Sequence, residues 1–265
     1  MLTPISNLMA EYFCFHKKFL LHNLVSRNIK LKYRKSYLGL FWTILAPVAT
    51  AVVYFSVFRF IMKIQIENYA VYVLSGTMAW GFYSTAIVQG TESIFANHSL
   101  LSKIPIPVNI FPLTETTTLF VNFLFSLPVL LGASMITKVA FSWVWLVILP
   151  YLFILLFLQA YALGLIGSIG FIYFRDLRHL LGILFQILFY LNPIIYGIDM
   201  VPEKYHYLLY LLPTPFIFEG IHSIFAQGKF ENWNGLIPST LWTAFFILIS
   251  IACLKRFKTR IVEMI

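Results

Sequence analysis

Residues 145–174 read WLVILPYLFILLFLQAYALGLIGSIGFIYF, an apolar stretch without a charged residue. About 20 such residues are enough for a helix to cross the hydrocarbon core of a bilayer. Because this stretch is longer, we expect its helix to tilt, or to begin in the membrane interface at Trp143 and Trp145. It decides the fold class, because a helix this apolar needs lipid or other apolar helices around it.

The composition of the whole chain leads to the same conclusion. Apolar residues make up 60% of the chain and charged residues 11%, against roughly 45–50% and about 25% in soluble domains. A soluble protein would have to expose apolar patches far larger than those found on monomers. We therefore predict a membrane protein in which residues 1–265 form a single transmembrane domain.

Charge-free stretches of sufficient length mark the predicted spans. Six of them occur along the chain, so the predicted fold is an all-α membrane protein with six transmembrane helices. The predicted spans are residues 36–58, 68–91, 116–137, 145–174, 180–198 and 232–254.

Lys and Arg indicate the orientation of the bundle, because they are enriched in cytoplasmic loops. An even number of spans places both termini on one side, and 14 of the 19 Lys and Arg residues fall on that side. We therefore predict that both termini are cytoplasmic. The formal charge of +9 then favours contacts with anionic membrane lipids rather than nucleic acid, since the basic residues cluster at the membrane edges.

Residues 17–35 predict an amphipathic helix that lies in the cytoplasmic interface. On a helical wheel Arg27, Lys30 and Arg34 share one sector, and leucines lie beside them. Such a helix buries its apolar side and keeps its basic side among the headgroups. The alternative is a basic segment that only fixes the topology.

Residues 199–231 are predicted to lie outside the cell, between spans five and six. Their middle part, residues 205–218, is apolar and aromatic but too short to span, and Pro213 and Pro215 interrupt it. Two interpretations remain open. The stretch is either a buried external loop or a re-entrant helical hairpin that dips into the outer leaflet.

The sequence lacks the motifs of an enzyme. It has no glycine-rich phosphate loop, no paired His or carboxylates at metal-ligand spacing and no nucleophile elbow. We therefore predict no catalytic residue, no metal site and no cofactor bound by this chain. The six His residues fall in connecting segments or at span ends, where we expect them to be solvated. The predicted spans hold no ionisable residue, which disfavours an ion-coupled transporter.

Small and aromatic residues stand out within the spans. Gly164, Gly167 and Gly170 recur every three residues on one face of the fourth span and predict close helix packing. Most aromatic residues are expected to face lipid or neighbouring helices, while a minority would suit a path for sugars, whose C–H faces stack on rings. The candidates are Phe41, Trp42, Tyr54, Phe55, Trp80, Phe82, Tyr83, Phe185, Phe189 and Tyr190.

Three groups of motifs resemble a known family. They are LVSRNIKLKYRKSYLGLFWTILAP at 24–47, NHSLLSKIPIPVNIFP at 97–112, and FRDLR, NPIIY and VPEKY at 174–178, 192–196 and 201–205. In this order and spacing the chain resembles the permease subunits of ABC-2-type polysaccharide exporters, which handle O-antigens, capsular polysaccharides and teichoic acids. Asn192 and Thr214 depart from the family pattern, which would have Ser and Asn there, and this affects the subfamily rather than the family.

The resemblance implies a homodimer in the bacterial inner membrane. Each copy would dock on a nucleotide-binding ATPase subunit that holds ATP and Mg²⁺ and drives export of a lipid-linked polysaccharide. It implies that residues 199–231 form a short re-entrant helical hairpin that closes the external mouth. It also implies three groups of functional residues. The coupling residues would be Ala96, Asn97, His98, Ser99, Leu100, Leu101, Ser102, Lys103, Arg175 and Asp176, the residues for substrate uptake Arg27, Lys30 and Arg34, and the external gate Tyr205, Tyr207, Tyr210, Phe216 and Phe218.

Two other functions are weighed against this one. The nearer is an ABC-type exporter of another amphipathic substrate, a drug or a lipid. The more distant is a membrane enzyme or scaffold of glycan assembly, such as a lipid-sugar transferase. An enzyme would need charged catalytic residues clustered at one membrane face, and the only candidates, Arg175, Asp176, Arg178 and His179, match the family's cytoplasmic turn instead.

Overall fold

The computed structural model describes residues 4–34, 37, 39–63, 65–101, 106–140 and 142–264. Within these ranges the regular structure is helical and contains no strand, which confirms the predicted all-α membrane fold. α2 and α9 continue as the π-helical turns Ser56–Ile61 and Ser223–Gln227. The α-helices are α1 (Pro4–Tyr33), α2 (Trp42–Phe55), α3 (Tyr69–Ala96), α4 (His98–Leu101), α5 (Ile110–Ile136), α6 (Val144–Tyr173), α7 (Leu177–Leu191), α8 (His206–Leu211), α9 (Pro215–His222) and α10 (Leu236–Met264).

Five helical segments in the described ranges are long and apolar enough to cross a membrane, and they coincide with predicted spans one to four and six. A further pair, Glu203–Leu211 and Pro215–Gln227, is bent by 106° and raises the number to six if it is counted as one broken span. A bundle of five or six spans is therefore confirmed. The five segments are Trp42–Ile61, Tyr69–Ala96, Ile110–Ile136, Trp145–Tyr173 and Trp233–Phe257.

The predicted fifth span, residues 180–198, differs from expectation. Its helix, α7, has 15 residues and is therefore about 22 Å long, which is short of the ~30 Å hydrocarbon core. It ends because Asn192 precedes a proline, and a residue in that position disfavours helical backbone. Asn192 is extended, with φ −89° and ψ 145°. The irregular segment that follows packs on the bundle, with Ile194 and Ile195 buried.

The core is built around α3, the most buried of the five spanning segments. It packs against α2, α5, α6, α7 and α9. A Cβ added to Gly90 of α3 would lie 3.1 Å from Gly164 Cα of α6, and one added to Gly167 would collide with Thr91. The close packing predicted for the glycine face of α6 is therefore confirmed.

The bundle has two ends, a basic end and an opposite end. The basic end is where α3 ends and α5 begins, and there Leu24 of α1 packs with Ile94, Phe111 and Ile169 beside Phe257 of α10. The opposite end is where α3 begins, and there α9 and residues 192–196 cover the core. Both ends place polar side chains around α3.

Candidate functional site

The three basic residues predicted for substrate uptake lie together on α1. Arg27, Lys30 and Arg34 line one open surface cleft of about 370 Å³, because residues three and four apart share a face of a helix. The other side of α1 packs on the bundle through Leu20, Leu21 and Leu24. The basic cleft and the packed leucines thus lie on different sides of α1, and the helix begins well before residue 17.

Hydrogen bonds join α1 to the basic end. Asn28 Nδ2 donates to Glu115 Oε1 at 2.8 Å, and Arg27 Nη2 donates to Asn97 Oδ1 at 3.3 Å. Glu115 belongs to α5, and Asn97 follows the last residue of α3. The basic helix α1 is therefore hydrogen-bonded both to α5 and to the residue that follows α3.

Two of the predicted coupling residues, His98 and Arg175, contact the same side chain, Phe95. Ala96 is the last residue of α3, residues 98–101 form α4, and the predicted residues Ser102 and Lys103 lie outside the described residues. The Phe95 ring stacks on His98 with centroids 5.7 Å apart, and the Arg175 guanidinium lies 3.7 Å from the Phe95 centroid. Asp176 is exposed at the start of α7. Phe95 was missed because nothing in the sequence distinguishes it from other aromatic residues at span ends.

An ion pair that the sequence did not reveal joins the same elements. Arg178 Nε of α7 lies 2.7 Å from Glu92 Oε1 of α3. The predicted second span stopped at residue 91 and the third began at residue 116, so Glu92 and Glu115 were left outside the spans. Both carboxylates belong to the extended helices and lie at the basic end.

An aromatic cavity opens between α2, α3 and α7. Its volume is about 490 Å³, and six of the residues lining it bear hydroxyl or amide groups. Tyr54 stacks on Phe189 with centroids 5.4 Å apart, and Trp80 contacts Phe185 at 5.9 Å. None of the described residues that line it is charged. The lining residues are Ala46, Pro47, Thr50, Tyr54, Thr77, Trp80, Gly81, Ser84, Phe185, Gln186, Phe189 and Tyr190.

The aromatic residues predicted for an external gate do not form one cluster. Tyr205, Tyr207 and Tyr210 are exposed, whereas Phe216 and Phe218 are buried. Tyr210 contacts Phe216 with centroids 4.8 Å apart, and Phe218 packs on Trp80 inside the core at 5.7 Å. Only the three tyrosines are accessible for a gating contact, while the two phenylalanines hold α9 on the bundle.

A buried polar cluster fixes the opposite end. The His222 ring of α9 stacks on Tyr72 of α3 with centroids 3.8 Å apart. His222 Nε2 donates to the Pro193 carbonyl at 3.0 Å, and Nδ1 lies 3.0 Å from the Ser75 hydroxyl. The expectation that every His is solvated is wrong for His222, which is fully buried, because these partners from α3 and from the segment after α7 enclose its ring.

The two departures from the family pattern contact each other. Thr214 Oγ1 donates to Asn192 Oδ1 at 2.6 Å, and both residues are buried. Asn192 Nδ2 in turn donates to the Leu188 carbonyl at 2.7 Å. The two departures are therefore joined by a buried hydrogen bond between the segment after α7 and the start of α9.

Comparison with known proteins agrees with this architecture. Two O-antigen export system permease proteins RfbA of Klebsiella pneumoniae are each 26% identical to the chain, over 91% and 77% of its length and 93% and 79% of theirs. The protein of the same name from Myxococcus xanthus is 29% identical over 75% of this chain and 76% of its own length. The family described as ABC-2 type transporter matches residues 20–226. With a helical bundle of five or six spans and a match over most of its length, the chain belongs to the ABC-2 type transporter family.

Proposed function

We propose that this chain is the membrane-spanning subunit of an ATP-driven exporter that moves a lipid-linked polysaccharide across the bacterial cytoplasmic membrane. A separate nucleotide-binding subunit hydrolyses the ATP, since the sequence has no phosphate loop of its own. The observation that carries the proposal is the aromatic cavity, because a charge-free surface of rings and hydroxyl groups suits a glycan. The names of the relatives, O-antigen export system permeases, support the same substrate class.

The cavity suits a path that glycans leave again. Sugar C–H faces pack on Tyr54, Trp80 and Phe189, while Thr50 and Gln186 offer neutral hydrogen-bonding groups. Ring stacking of this kind contributes only about 1 kcal/mol per contact, and no charged group among the lining residues would hold a passing chain. The lining residues therefore bind a glycan strongly enough to guide it and weakly enough to release it.

A homodimer supplies the missing wall of this path. α2 is the least buried spanning segment, and α7 exposes apolar side chains along its length. A second copy related by two-fold symmetry would cover these faces and enclose the cavity at the seam. The glycan then crosses between the copies and not through the packed core around α3.

Coupling to the ATPase is placed at the basic end, which faces the cytoplasm in this proposal. The exposed residues around α4, together with Arg175 and Asp176, form the docking surface. Force on α4 reaches α7 through the contacts of Phe95 and Glu92, and it reaches α1 through Asn97. The elements that line the glycan path and the uptake cleft therefore move together.

Uptake and exit lie at the two membrane surfaces. Arg27, Lys30 and Arg34 line the cleft that attracts the anionic carrier of the glycan on the inner leaflet, where each basic residue contributes about 1 kcal/mol. On the outer side Tyr205, Tyr207 and Tyr210 of both copies close the seam when no glycan is present. Both termini are cytoplasmic in this arrangement.

Filling the aromatic cavity tests the proposal. Ser84 lines it, and its hydroxyl donates to the Trp80 carbonyl of its own helix at 2.8 Å. Ser84→Phe is expected to reduce export to below a tenth of the normal rate while the protein stays abundant and the partner still hydrolyses ATP. Cytoplasmic accumulation of glycan and loss of surface glycan are the measurements.

Ser84→Ala is the matched control and should export normally, because it changes the helix little and leaves the cavity open. Normal export by Ser84→Phe at normal abundance would show that the glycan does not pass through this cavity. Loss of export for a small amphipathic dye, with glycan export intact, would favour the drug-exporter alternative.

A further inference from the structure

A second cavity lies on the other side of α2. It has a volume of about 270 Å³ and opens between α1, α2, α3 and α5. Ala46, Pro47 and Gly81 line both cavities, so the wall between them consists of small side chains. The residues lining the second cavity are Lys32, Trp42, Thr43, Ala46, Pro47, Met78, Gly81, Phe82, Thr85, Leu119, Asn122, Phe123 and Ser126.

Lys32 distinguishes this cavity from the basic cleft on α1. It follows Lys30 by two residues, which turns its side chain about 200° around the helix and away from the cleft. Among the described lining residues it is the only charged one, and it lines the cavity without being enclosed by it. This places one cation at the mouth of an otherwise neutral cavity.

The surroundings of Lys32 favour an anionic ligand. Partial burial lowers the pKa of the Lys32 ammonium from its ordinary value, and the attraction of the Glu115 carboxylate offsets this only in part. Asn28 already donates to that carboxylate. An opposite charge within about 4–6 Å favours the charged form of a lysine, so a phosphate group at the mouth would be stabilised.

The rest of the lining suits the apolar part of an amphiphile. Phe82, Leu119 and Phe123 face the cavity from α3 and α5, with Asn122 and Ser126 among them. At about 270 Å³ the cavity is much smaller than the aromatic cavity of about 490 Å³. That is too small for an oligosaccharide and sufficient for a glycerol phosphate with the first carbons of an acyl chain.

We propose that this cavity holds an anionic glycerophospholipid, with its phosphate on Lys32 and its glycerol and upper acyl chain against α3 and α5. The proposal is independent of the glycan path, and only the assignment to the inner leaflet rests on the proposed function. One lipid bound here stabilises the junction of α1 with α2, and the polysaccharide carrier uses the cleft on the opposite face of α1.

Lipid binding to the full-length chain tests this. The protein is purified from cells that make no polysaccharide, delipidated, and titrated with phosphatidylglycerol or phosphatidylcholine while bound lipid is counted by native mass spectrometry. We expect one tightly bound phosphatidylglycerol per chain, with phosphatidylcholine at least tenfold weaker. Lys32→Gln should weaken phosphatidylglycerol tenfold or more, and Lys18→Gln, about four turns earlier on α1 and exposed, should leave it unchanged.

Thr85→Phe provides a second variant that keeps Lys32 and fills the cavity, and it should also lose the lipid. Equal binding of the two phospholipids, or equal effects of Lys32→Gln and Lys18→Gln, would overturn the proposal. Displacement of phosphatidylglycerol by a polyprenyl phosphate that depends on Lys32 would also overturn it, because the cavity would then bind the lipid carrier of the substrate. Since binding is measured without export, failure here is distinguishable from failure of the Ser84→Phe experiment.

Discussion

The two ends of α3 are held by different chemistry. At the basic end Glu92 pairs with Arg178, Phe95 lies under Arg175 and Asn97 accepts from Arg27. At the opposite end Tyr69 and Tyr72 donate to the backbone carbonyls of Ile195 and Tyr196 at 2.7 and 2.8 Å, and His222 is enclosed. The first set joins three exposed arginines to half-buried partners, whereas the second set consists of neutral, largely buried groups.

From this difference we infer that the basic end is the movable end of the bundle and the opposite end is the fixed one. Exposed ion pairs contribute little, with a median of about 0–1 kcal/mol, so they can be broken and remade during a transport cycle. A buried hydrogen-bonding group that loses its partner costs about 1–3 kcal/mol. The opposite end should therefore move with α3 as one body, while the basic end can rearrange around α3.

The largest expected effect is at the fixed end. A Cβ added to Gly76 would collide with the His222 ring and lie 2.7 Å from the Ile194 carbonyl oxygen, whereas one added to Gly81 would meet nothing within 4 Å. Gly76→Ala should lower the free energy of unfolding by about 2 kcal/mol, as overpacking does. Gly81→Ala, on the same helix, should change it by less than about 0.5 kcal/mol. Denaturant unfolding in detergent measures both, and equal stabilities would mean that this end is not tightly packed.

The sequence predicted the two ends unequally. The basic face of α1 follows from helical spacing within a single segment, so Arg27, Lys30 and Arg34 were found and do lie together. His222 contacts Ser75, which is 147 residues away, and no local pattern reveals such a partner. For the same reason Glu92 was placed outside a span and its pairing with Arg178 was missed.

The spans themselves were predictable because lipid imposes one requirement on every spanning helix: it must satisfy its own backbone. The end of α7 was not predicted, although the sequence shows its cause. Asn192 and Pro193 carry no charge, so a prediction based on charge-free stretches extended the fifth span through them. The helix ends there because the residue before a proline disfavours helical backbone. Composition decides whether a segment enters the membrane, and backbone chemistry decides where its helix ends.

A smaller effect is expected from the hydrogen bond between Thr214 and Asn192. Thr214→Val should leave the buried Asn192 Oδ1 without this donor and lower the free energy of unfolding by about 1 kcal/mol. The double variant Asn192→Ser with Thr214→Asn restores the family pattern and should lie within about 0.5 kcal/mol of the original chain. If the two single changes add up in the double variant, the residues are not coupled.

The smallest effect on stability is expected at the movable end. Arg178 and Glu92 keep 60% and 27% of their side-chain surfaces exposed, so solvent screens their attraction. Arg178→Glu should lower the free energy of unfolding by no more than about 0.5 kcal/mol. The effect of Arg178→Glu on export should be larger. The substitution places two carboxylates opposite each other where α3 meets α7, and their repulsion breaks the contact between the coupling residues and the helices that line the glycan path.

The exchanged pair, Glu92→Arg with Arg178→Glu, restores the attraction with the charges reversed. Export and the stimulation of the partner ATPase should fall several-fold in Arg178→Glu and recover in the exchanged pair, while all three proteins unfold at similar denaturant concentrations. A loss of stability in Arg178→Glu as large as that of Gly76→Ala would contradict the assignment, since the basic end would then be as fixed as the opposite one. If the exchanged pair recovers export while its stability equals that of Arg178→Glu, the ion pair acts in transport and not in holding the fold together.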